Sequence, residues 1–196
     1  MVSAKSEFPW EEAWQVWVEL RDQLHPVCRK IVPAGSLRRR QPVVHDLDVV
    51  AIPLLAVQHD LFGNPTKEYS LLDLKLAELD IEFIKDGDKI KTFIFRGMPV
   101  DLYICDEDSF ATTFLIRTGS REHNRWLAQL AMRRGFRLKV NGVGLVRMGT
   151  GQRVAWRSER EIFRALGLPW IPPKDRDVPE EANEGQPYEH YGVSLY

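Results

Sequence analysis

The pattern of apolar and polar residues changes from a helical to an extended period along the chain. Residues 9–24 begin with proline, carry two acids in the first turn and repeat large apolar side chains at helical spacing, at Trp10, Trp14, Trp17 and Leu24. We therefore predict an amphipathic helix over this segment. Because the tryptophans have the spacing of a packed helix face, we assign them to the core rather than to base stacking.

Extended segments dominate the next part of the chain. The stretch "CRKIVPA" (28–34) predicts a short strand, and "LDVVAIPLL" (47–55) has the continuous apolar run of a buried strand. A helical period covers residues 68–80. Residues 81–105 predict a series of short strands, because two glycine-containing turns interrupt their apolar runs.

From about residue 106 the period is mainly helical, with a candidate hairpin near 140–149 and a last helix over 158–168. Beyond Pro169 the chain becomes rich in proline and acids, which predicts an extended tail. We expect an α+β (mixed α/β) fold in which a small mixed sheet is followed by a helical subdomain. The expected parts are residues 1–105, 106–177 and 178–196.

The composition is that of a globular protein without a targeting segment. The 196 residues are 44% hydrophobic, and they show neither a charged-then-apolar leader nor an apolar run of about 18 residues. We therefore expect a protein that is not secreted, located in the cytoplasm or with nucleoid or viral DNA. Cys28 and Cys105 lie in apolar stretches, which indicates core thiols rather than a disulfide or a metal pair.

The net formal charge of −1 conceals a strong segregation of charge. Residues 111–165 contain twelve Lys or Arg and three acids, a formal charge of +9, whereas the remaining residues carry −10. Such asymmetry is typical of a chain whose basic part holds a polyanion. The candidate DNA-binding residues in the basic part are Arg121, Arg125, Arg133, Arg134, Arg137 and Lys139.

Three aspartates indicate the candidate chemistry. Asp46 and Asp48 are two residues apart at the start of a buried strand, and Asp101 lies in the similar strand "VDLYIC". Strand positions two apart face the same side, so the three carboxylates converge if these strands are neighbours. Converging carboxylates repel each other unless a cation is present, and Mg²⁺ prefers their oxygens. We predict two Mg²⁺ ions there, replaceable by Mn²⁺, for in-line phosphoryl displacement.

A candidate phosphate site precedes these carboxylates. Gly35 allows close backbone approach to a ligand, and Ser36 can start a helix whose first N–H groups favour an anion. Three arginines, residues 38–40, follow within one helical turn, so at least one should direct its planar donor fork to the same anion.

The order of these residues resembles the nucleotidyltransferase superfamily typified by DNA polymerase beta. The second half is more specific. "SFATTFLIRTGSREHNRWLAQLAMRRGFRL" (109–138) resembles the family X DNA polymerase segment with a Thr-Gly-Ser turn followed by an asparagine on a helix. "SEREIFRALGLPWIPPKDRD" (158–177) is similar to that family's closing motif. The likeness covers about residues 29–177 and implies a nucleotidyltransferase palm followed by a basic helical thumb.

The resemblance also implies a reaction. A DNA polymerase of this family adds dNMP from a dNTP to the 3′-hydroxyl of a primer-template or gapped DNA, which here would serve short-gap filling in repair. Asp46 and Asp48 would bind both metal ions, and Asp101 would bind the catalytic ion and help to activate the hydroxyl. Full-size members of that family carry a lyase domain before the palm, whereas about 33 residues precede Gly35 here, so we expect no lyase domain. We also expect a monomer.

The resemblance assigns further residues to the nucleotide. Gly35, Ser36 and Arg39 would bind the triphosphate, Gly119 would lie beside the sugar, and Asn124 would reach the minor-groove edge of the incoming base.

The sequence departs from the family pattern at three positions. Ile116 and Arg117 stand at nucleotide-binding positions where the family usually has an aromatic pair, and Ala128 replaces a common arginine that contacts the template. We therefore expect easier acceptance of ribonucleotides, and strict templating is open.

Three alternatives remain. The chain could be a template-independent terminal transferase, or a nucleotidyltransferase that modifies RNA, a protein or a small molecule. The last kind would need neither "TGSREHN" nor the closing motif. A third alternative is an inactive DNA-binding module, which the presence of all three carboxylates disfavours.

Overall fold

The computed structural model describes residues 7–139 and 143–177. Within these residues there are six α-helices: α1 (Trp10–Leu24), α2 (Gly35–Arg38), α3 (Leu71–Glu78), α4 (Glu107–Thr118), α5 (Arg121–Arg133) and α6 (Glu159–Ala165). The same residues form twelve strands: β1 (Phe8–Pro9), β2 (Cys28–Pro33), β3 (Val43–Val44), β4 (Leu47–Pro53), β5 (Leu55–His59), β6 (Pro65–Ser70), β7 (Glu82–Asp86), β8 (Ile90–Phe95), β9 (Met98–Ile104), β10 (Phe136–Lys139), β11 (Gly144–Arg147) and β12 (Arg153–Ala155). The fold is therefore mixed α/β, as predicted.

The chain divides into two compact units, and the short segment Ala34–Gln41 belongs to a different unit from the residues on either side of it. Residues 7–33 together with Pro42–Asp106 form the first unit, and Ala34–Gln41 together with the described residues between Glu107 and Asp177 form the second. The expected first part, residues 1–105, includes the Gly35 segment because that segment lies between two strands in the sequence. In the structure its side chains find their partners in the second unit.

The first unit is built around a five-stranded mixed sheet with the order β2-β4-β9-β8-β7. Strands β4 and β9 pair in parallel, and the other neighbours pair antiparallel. Helix α1 buries Ala13, Trp17, Leu20 and Leu24, which confirms an amphipathic helix. Of its three tryptophans, however, only Trp17 lies in the core, and Trp10 and Trp14 are half-buried. Trp10 and Trp14 stack on each other with ring centroids 5.2 Å apart.

This unit also contains a hairpin that the sequence pattern did not predict. Strand β4 ends at Pro53, and β5 and β6 form a separate two-stranded sheet. The backbone N–H groups of Phe62 and Asn64 donate to Asp60 Oδ1 over 2.8 and 2.9 Å and close the turn. Helix α3 consequently begins at Leu71, with Ser70 as its N-cap. Both strands are largely exposed, so they lack the alternation of buried positions that would have indicated them.

The second unit has its own core. Helices α5 and α6 and the sheet β10-β11-β12 contribute to a cluster of buried apolar side chains that includes Leu127, Leu130, Leu145, Ile162 and Phe163. The composition beyond Pro169 predicted an extended tail, and up to Asp177 this is wrong. Ile171 and Arg176 are fully buried. The predicted tail, residues 178–196, and residues 140–142 of the candidate hairpin lie outside the described residues.

The two cysteines are free thiols in the first unit. Cys28 is buried and Cys105 half-buried, and burial raises the pKa of each to about 12, so neither is a reactive thiolate at neutral pH. The Cys105 thiol donates to the carbonyl of Ala51 over 3.4 Å. Among the described helices, none combines the length and the apolar content needed to cross a membrane.

Candidate active site

Two of the predicted carboxylates lie side by side in the sheet of the first unit. Strands β4 and β9 are parallel neighbours, and their register pairs Asp48 directly with Asp101. Neighbouring strands lie about 4.8 Å apart, and paired residues of parallel strands project from the same face. The structure therefore brings together two acids that are 53 residues apart in sequence.

Hydroxyl groups hold the Asp101 side chain from the same sheet. Thr92 of β8 is the register partner of Asp101, and its hydroxyl donates to Asp101 Oδ1 over 2.6 Å. The Tyr103 hydroxyl, two residues along β9, donates more weakly to Oδ2 over 3.4 Å. Each carboxylate oxygen thus has a donor, and a second lone pair on each oxygen stays available for another ligand.

Asp46 lies outside the strand. Strand β4 begins at Leu47, and Asp46 occupies the bend before it, so the two-residue alternation of a strand does not set its direction. Among residues 7–139 and 143–177, no three Asp, Glu, His or Cys side chains are arranged as a ready-made metal site. The convergence of all three carboxylates stays a prediction, whereas the donor set, half-buried carboxylate oxygens, suits Mg²⁺.

The predicted phosphate segment is a single turn of helix in the second unit. Gly35 is the first residue of α2 and has a φ of +53°, which favours glycine over any residue with a Cβ. Ala34 occupies the N-cap position, so Ser36 does not start the helix but is its second residue. With four residues α2 has little dipole, and anion binding there would depend on the arginines that follow.

Arg38 belongs to a buried charge network. Its guanidinium donates to both carboxylate oxygens of Glu159, over 2.9 and 2.8 Å, and to the Thr118 hydroxyl over 2.5 Å. The guanidinium carbon also lies 3.6 Å from the centre of the Phe114 ring. Arg176, completely buried, donates to Glu159 over 2.9 Å. Arg38 is thus a structural residue rather than an anion ligand.

The pKa of Glu159 reflects this network. Burial is the largest influence and raises the pKa, but hydrogen bonds and charge from Arg38 and Arg176 together outweigh it and lower the pKa to about 2. Glu159 is therefore ionised at neutral pH and balances two arginines in the interior of the second unit.

Arg39 makes different contacts. Its Nε donates to both oxygens of Asp177, over 2.8 and 3.0 Å, and its Nη1 donates to the Thr118 carbonyl over 2.7 Å. Gln41 also donates to Asp177. The arginine predicted to contact the triphosphate therefore has a carboxylate partner in this structure.

The residues predicted to lie near the sugar and base are grouped around the end of α4. Asn124, in the first turn of α5, donates from Nδ2 to the carbonyl of Ile116 over 2.7 Å. Within the described residues, no hydrogen-bond donor reaches the buried Asn124 Oδ1. The Ile116 side chain packs against the core of the second unit, and Arg117 is half-buried one residue further. The structure thus brings Ile116, Asn124 and Gly119 together.

His123, the neighbour of Asn124, is buried between aromatic rings. Its ring lies 5.8 Å from that of Trp126 and 6.0 Å from that of Phe163, centre to centre. Burial, with a smaller effect from the charge of Arg176, lowers the pKa of His123 to about 3. His123 is therefore a neutral core residue and no acid-base catalyst at neutral pH.

Replacing Gly119 with alanine should disturb this group. A Cβ at residue 119 would come within 2.7 Å of both Asn124 Oδ1 and the His123 ring. His123 cannot retreat because it is fully buried, so we expect a loss of about 1–3 kcal/mol in the free energy of unfolding, measured in urea. Gly149→Ala is the control for backbone entropy lost in the unfolded state, because nothing lies within 4 Å of that site. Gly149 has a positive φ, so alanine is strained there for a different reason, and a comparison of stabilities alone does not isolate the collision at residue 119. Gly119→Ala should therefore also shift the Asn124 side-chain NMR signal. An unchanged signal would contradict the predicted collision.

The predicted DNA-binding residues form an exposed stripe in the second unit. Arg121, Arg125 and Arg133 are exposed and lie four or eight residues apart on α5, so they share one side of the helix. The others are Arg134, Arg137 and Lys139, of which the last is half-buried. Arg134 also covers Gly167, where a Cβ would meet its Nη1 at 2.7 Å.

Several residues that hold the site in place were not predicted from the sequence. Thr92 and Tyr103 stand on the same sheet face as Asp101, and only the strand register could reveal them. Glu159 looked like an ordinary first-turn acid of the last helix. Asp177 is the final residue of the closing motif and carried no role there.

Comparisons with known proteins identify relatives of this chain. A family profile described as DNA polymerase beta thumb matches residues 113–177. The DNA polymerase/3′-5′ exonuclease PolX of Bacillus subtilis is 33% identical over 193 residues, which are 96% of this chain and 30% of that protein. DNA polymerase lambda of Rattus norvegicus is 30% identical over 162 residues, 74% of this chain and 28% of that protein. The chain thus spans less than a third of the length of either relative.

Solved structures show the same fold. Leishmania infantum polymerase beta in a ternary P/T complex superposes with a TM-score of 0.70 at 22% identity, covering 88% of this chain and 77% of that one. Its ternary gap complex gives 0.71 at the same identity and covers 71% of that chain. The sequence matches, the thumb profile and the shared fold show that this chain belongs to the family X DNA polymerases.

Proposed function

We propose that the protein is a DNA polymerase that transfers dNMP from a dNTP to the 3′-hydroxyl of a DNA primer. The observation that carries this proposal is the register of β4 and β9, which pairs Asp48 with Asp101 in a chain of family X. An inactive DNA-binding module would have no need of two paired, half-buried carboxylates of which one is oriented by two hydroxyl groups.

Asp46 and Asp48 would hold two Mg²⁺ ions, and Asp101 would hold the ion nearer the primer. When bound, such a pair of ions stabilises the attacking and the leaving oxygen of an in-line phosphoryl transfer. Thr92 and Tyr103 fix the direction of the Asp101 carboxylate, so that it meets the primer hydroxyl without first reorganising. Asp101 would help to accept the hydroxyl proton.

The nucleotide would be bound by residues of the second unit. Ser36 and Arg39 would contact the triphosphate, the backbone at Gly119 would border the sugar, and Asn124 would reach the base. Gly119 has no room for a side chain, which supports a role in shaping the sugar pocket through the backbone. Asn124 could serve the base through the second N–H of its Nδ2, since the bond to the Ile116 carbonyl uses only one, or through the unsatisfied Oδ1.

Gapped DNA is the proposed substrate. The Leishmania relative has been solved as a ternary gap complex, and the basic stripe of α5 offers this chain cations for a DNA backbone. Gap filling in repair, action as a monomer and lack of lyase activity stay predictions.

Primer extension tests the proposal directly. A labelled primer is extended with and without a template and with and without a downstream strand, in Mg²⁺ and in Mn²⁺. Template-dependent extension in either ion is the expected result. Extension without a template would favour the terminal transferase alternative, and absence of extension under all conditions would reject the polymerase.

The basic stripe should control DNA affinity through electrostatics. If Arg121 and Arg125 each neutralise one phosphate, the double substitution Arg121→Glu/Arg125→Glu should reduce the slope of log affinity against log salt by about 1.8. It should also weaken binding at 0.1 M salt by at least about 10-fold. Fluorescence anisotropy with a gapped duplex from 50 to 300 mM salt measures both.

The matched control is Lys67→Glu/Lys85→Glu, which makes the same change of charge at exposed positions of the first unit. Equal effects of the two double substitutions would mean that only net charge matters and that the stripe is not the DNA contact.

A further inference from the structure

The contact between Arg39 and Asp177 is unlike the other arginine-carboxylate contact of the same turn. Arg38 and Arg39 are adjacent, and their side chains are similarly covered, 17% and 14% exposed. Their partners differ: the Glu159 side chain is 9% exposed, whereas that of Asp177 is 32% exposed. A carboxylate in contact with water can leave its partner at small cost, because water takes over its hydrogen bonds.

The geometry leaves part of the Arg39 guanidinium for a ligand. A guanidinium has five N–H donors. The bonds to Asp177 use Nε, and the bond to the Thr118 carbonyl uses one N–H of Nη1. The Thr118 carbonyl therefore anchors one end of the guanidinium while the Nε edge is held by a replaceable carboxylate. Gln41, which also donates to Asp177, keeps that carboxylate in place.

Charge explains what Asp177 does to an incoming anion. Arg38 and Arg176 are already balanced in part by Glu159, so of the adjacent Arg38 and Arg39 it is Arg39 whose partner an external anion can displace. Asp177 neutralises it and occupies its Nε edge, which a phosphate would otherwise take in a bidentate contact. A carboxylate and a phosphate group compete for the same donors.

We propose that Asp177 is an internal competitor for the anion that Arg39 binds and thereby sets the affinity of the protein for the nucleotide triphosphate. The inference rests on the proposed function, which assigns the triphosphate to Arg39. Asp177 must leave the Nε edge before a phosphate takes it. The apparent affinity is therefore the intrinsic affinity multiplied by the fraction of molecules in which Asp177 and Arg39 are unpaired.

Binding of inorganic tripolyphosphate without metal, measured by calorimetry, tests the proposal apart from catalysis. Asp177→Asn keeps an oxygen that accepts from Nε but removes the charge. We expect it to bind tripolyphosphate about 3- to 5-fold more tightly, the scale of a partly exposed ion pair. The gain should shrink as salt rises from 50 to 500 mM, since screening weakens the competing pair. The Michaelis constant for dNTP in primer extension should fall by a similar factor.

Asp108→Asn is the matched control. Asp108 pairs with Arg153 over 3.4 Å in the same unit, so this substitution makes the same change of net charge and also releases an arginine. It should leave tripolyphosphate affinity unchanged. Equal tightening by both substitutions would overturn the proposal, because net charge alone would then explain the gain.

Two other variants separate the possible failures. If Arg39→Ala weakens tripolyphosphate binding while Asp177→Asn has no effect, the competitor role is wrong and the nucleotide role of Arg39 stands. If Asp177→Ala weakens binding, Asp177 positions Arg39 instead of competing for it, and the proposal is again overturned. If a folded Arg39→Ala binds as the parent does, the triphosphate role of Arg39 fails and the inference fails with it. Circular dichroism checks the folding of each variant.

Discussion

The substitution Asp101→Asn is expected to lower the rate of nucleotide addition by about 10²–10⁴-fold, the range in which loss of a catalytic acid or base falls. Asparagine has the same shape and still accepts the Thr92 hydroxyl bond, so the sheet should remain intact. It removes the negative charge that the proposed metal ligand and proton acceptor must supply. Single-turnover extension of a gapped substrate at saturating dNTP measures the rate.

Two controls belong to this experiment. Asp88→Asn changes an exposed aspartate of the same unit and should extend the primer as the parent does. DNA affinity of Asp101→Asn should be nearly unchanged, because the proposed DNA contacts lie in the second unit. Activity of Asp101→Asn within about threefold of the parent would remove the catalytic role of the paired carboxylates and the proposed function with it.

Removing the charge of Glu159 should have the largest effect on stability. In Glu159→Gln the half-buried guanidinium of Arg38 and the fully buried guanidinium of Arg176 lose their common counter-ion, and breaking one side of a buried ion pair costs about 3–5 kcal/mol. Urea unfolding followed by tryptophan fluorescence measures the loss. The control Glu122→Gln removes a first-turn acid of α5 and should cost less than about 1 kcal/mol, the scale of an interaction with a helix dipole. Equal losses would show that the network adds nothing to an ordinary helix-start acid.

The same network predicts how stability depends on pH. The pKa of Glu159 is lowered to about 2 in the folded protein from an ordinary value of 4.5. The unfolded chain therefore takes up the proton first as pH falls, and the stabilisation, complete above pH 4.5, is lost between pH 4.5 and about 2. His123, whose pKa is lowered to about 3, acts in the same direction between its ordinary value of 6.5 and about 3. Glu159→Gln should flatten the lower part of this curve, and a parallel curve would contradict the assignment.

Several elements were predictable from the sequence because local periodicity determines them. Helix α1 has a stripe of tryptophan and leucine at helical spacing, and β4 and β9 are apolar runs that only Asp48 and Asp101 interrupt. The hairpin of β5 and β6 was not predictable in this way, since its exposed strands pack on too little to need an apolar face. A strand with one buried face needs apolar residues at alternate positions, whereas an exposed strand has no such requirement and leaves no periodic pattern in the sequence.

For the candidate site, too, the sequence determines one part and the tertiary structure another. The residue types of the site, above all Asp46, Asp48 and Asp101, could be read from the sequence because a carboxylate near a buried strand has few structural uses. Their order along the chain also carried the resemblance to family X. The sequence could not show that Asp48 and Asp101, 53 residues apart, are register partners on neighbouring strands, because strand register is a property of the whole sheet.

Only the tertiary structure decided the roles of the charged residues around Gly35. Arg38 and Arg39 are neighbours of the same type, and no local pattern distinguishes them. Arg38 becomes a structural cation because the buried Glu159, 121 residues away, balances it, whereas Arg39 has a partly exposed partner in Asp177, 138 residues away. The cost of separating an arginine from its carboxylate partner depends on how deeply that partner is buried. The partner that the tertiary structure brings to each arginine therefore decides whether the arginine can bind a ligand or only stabilises the fold.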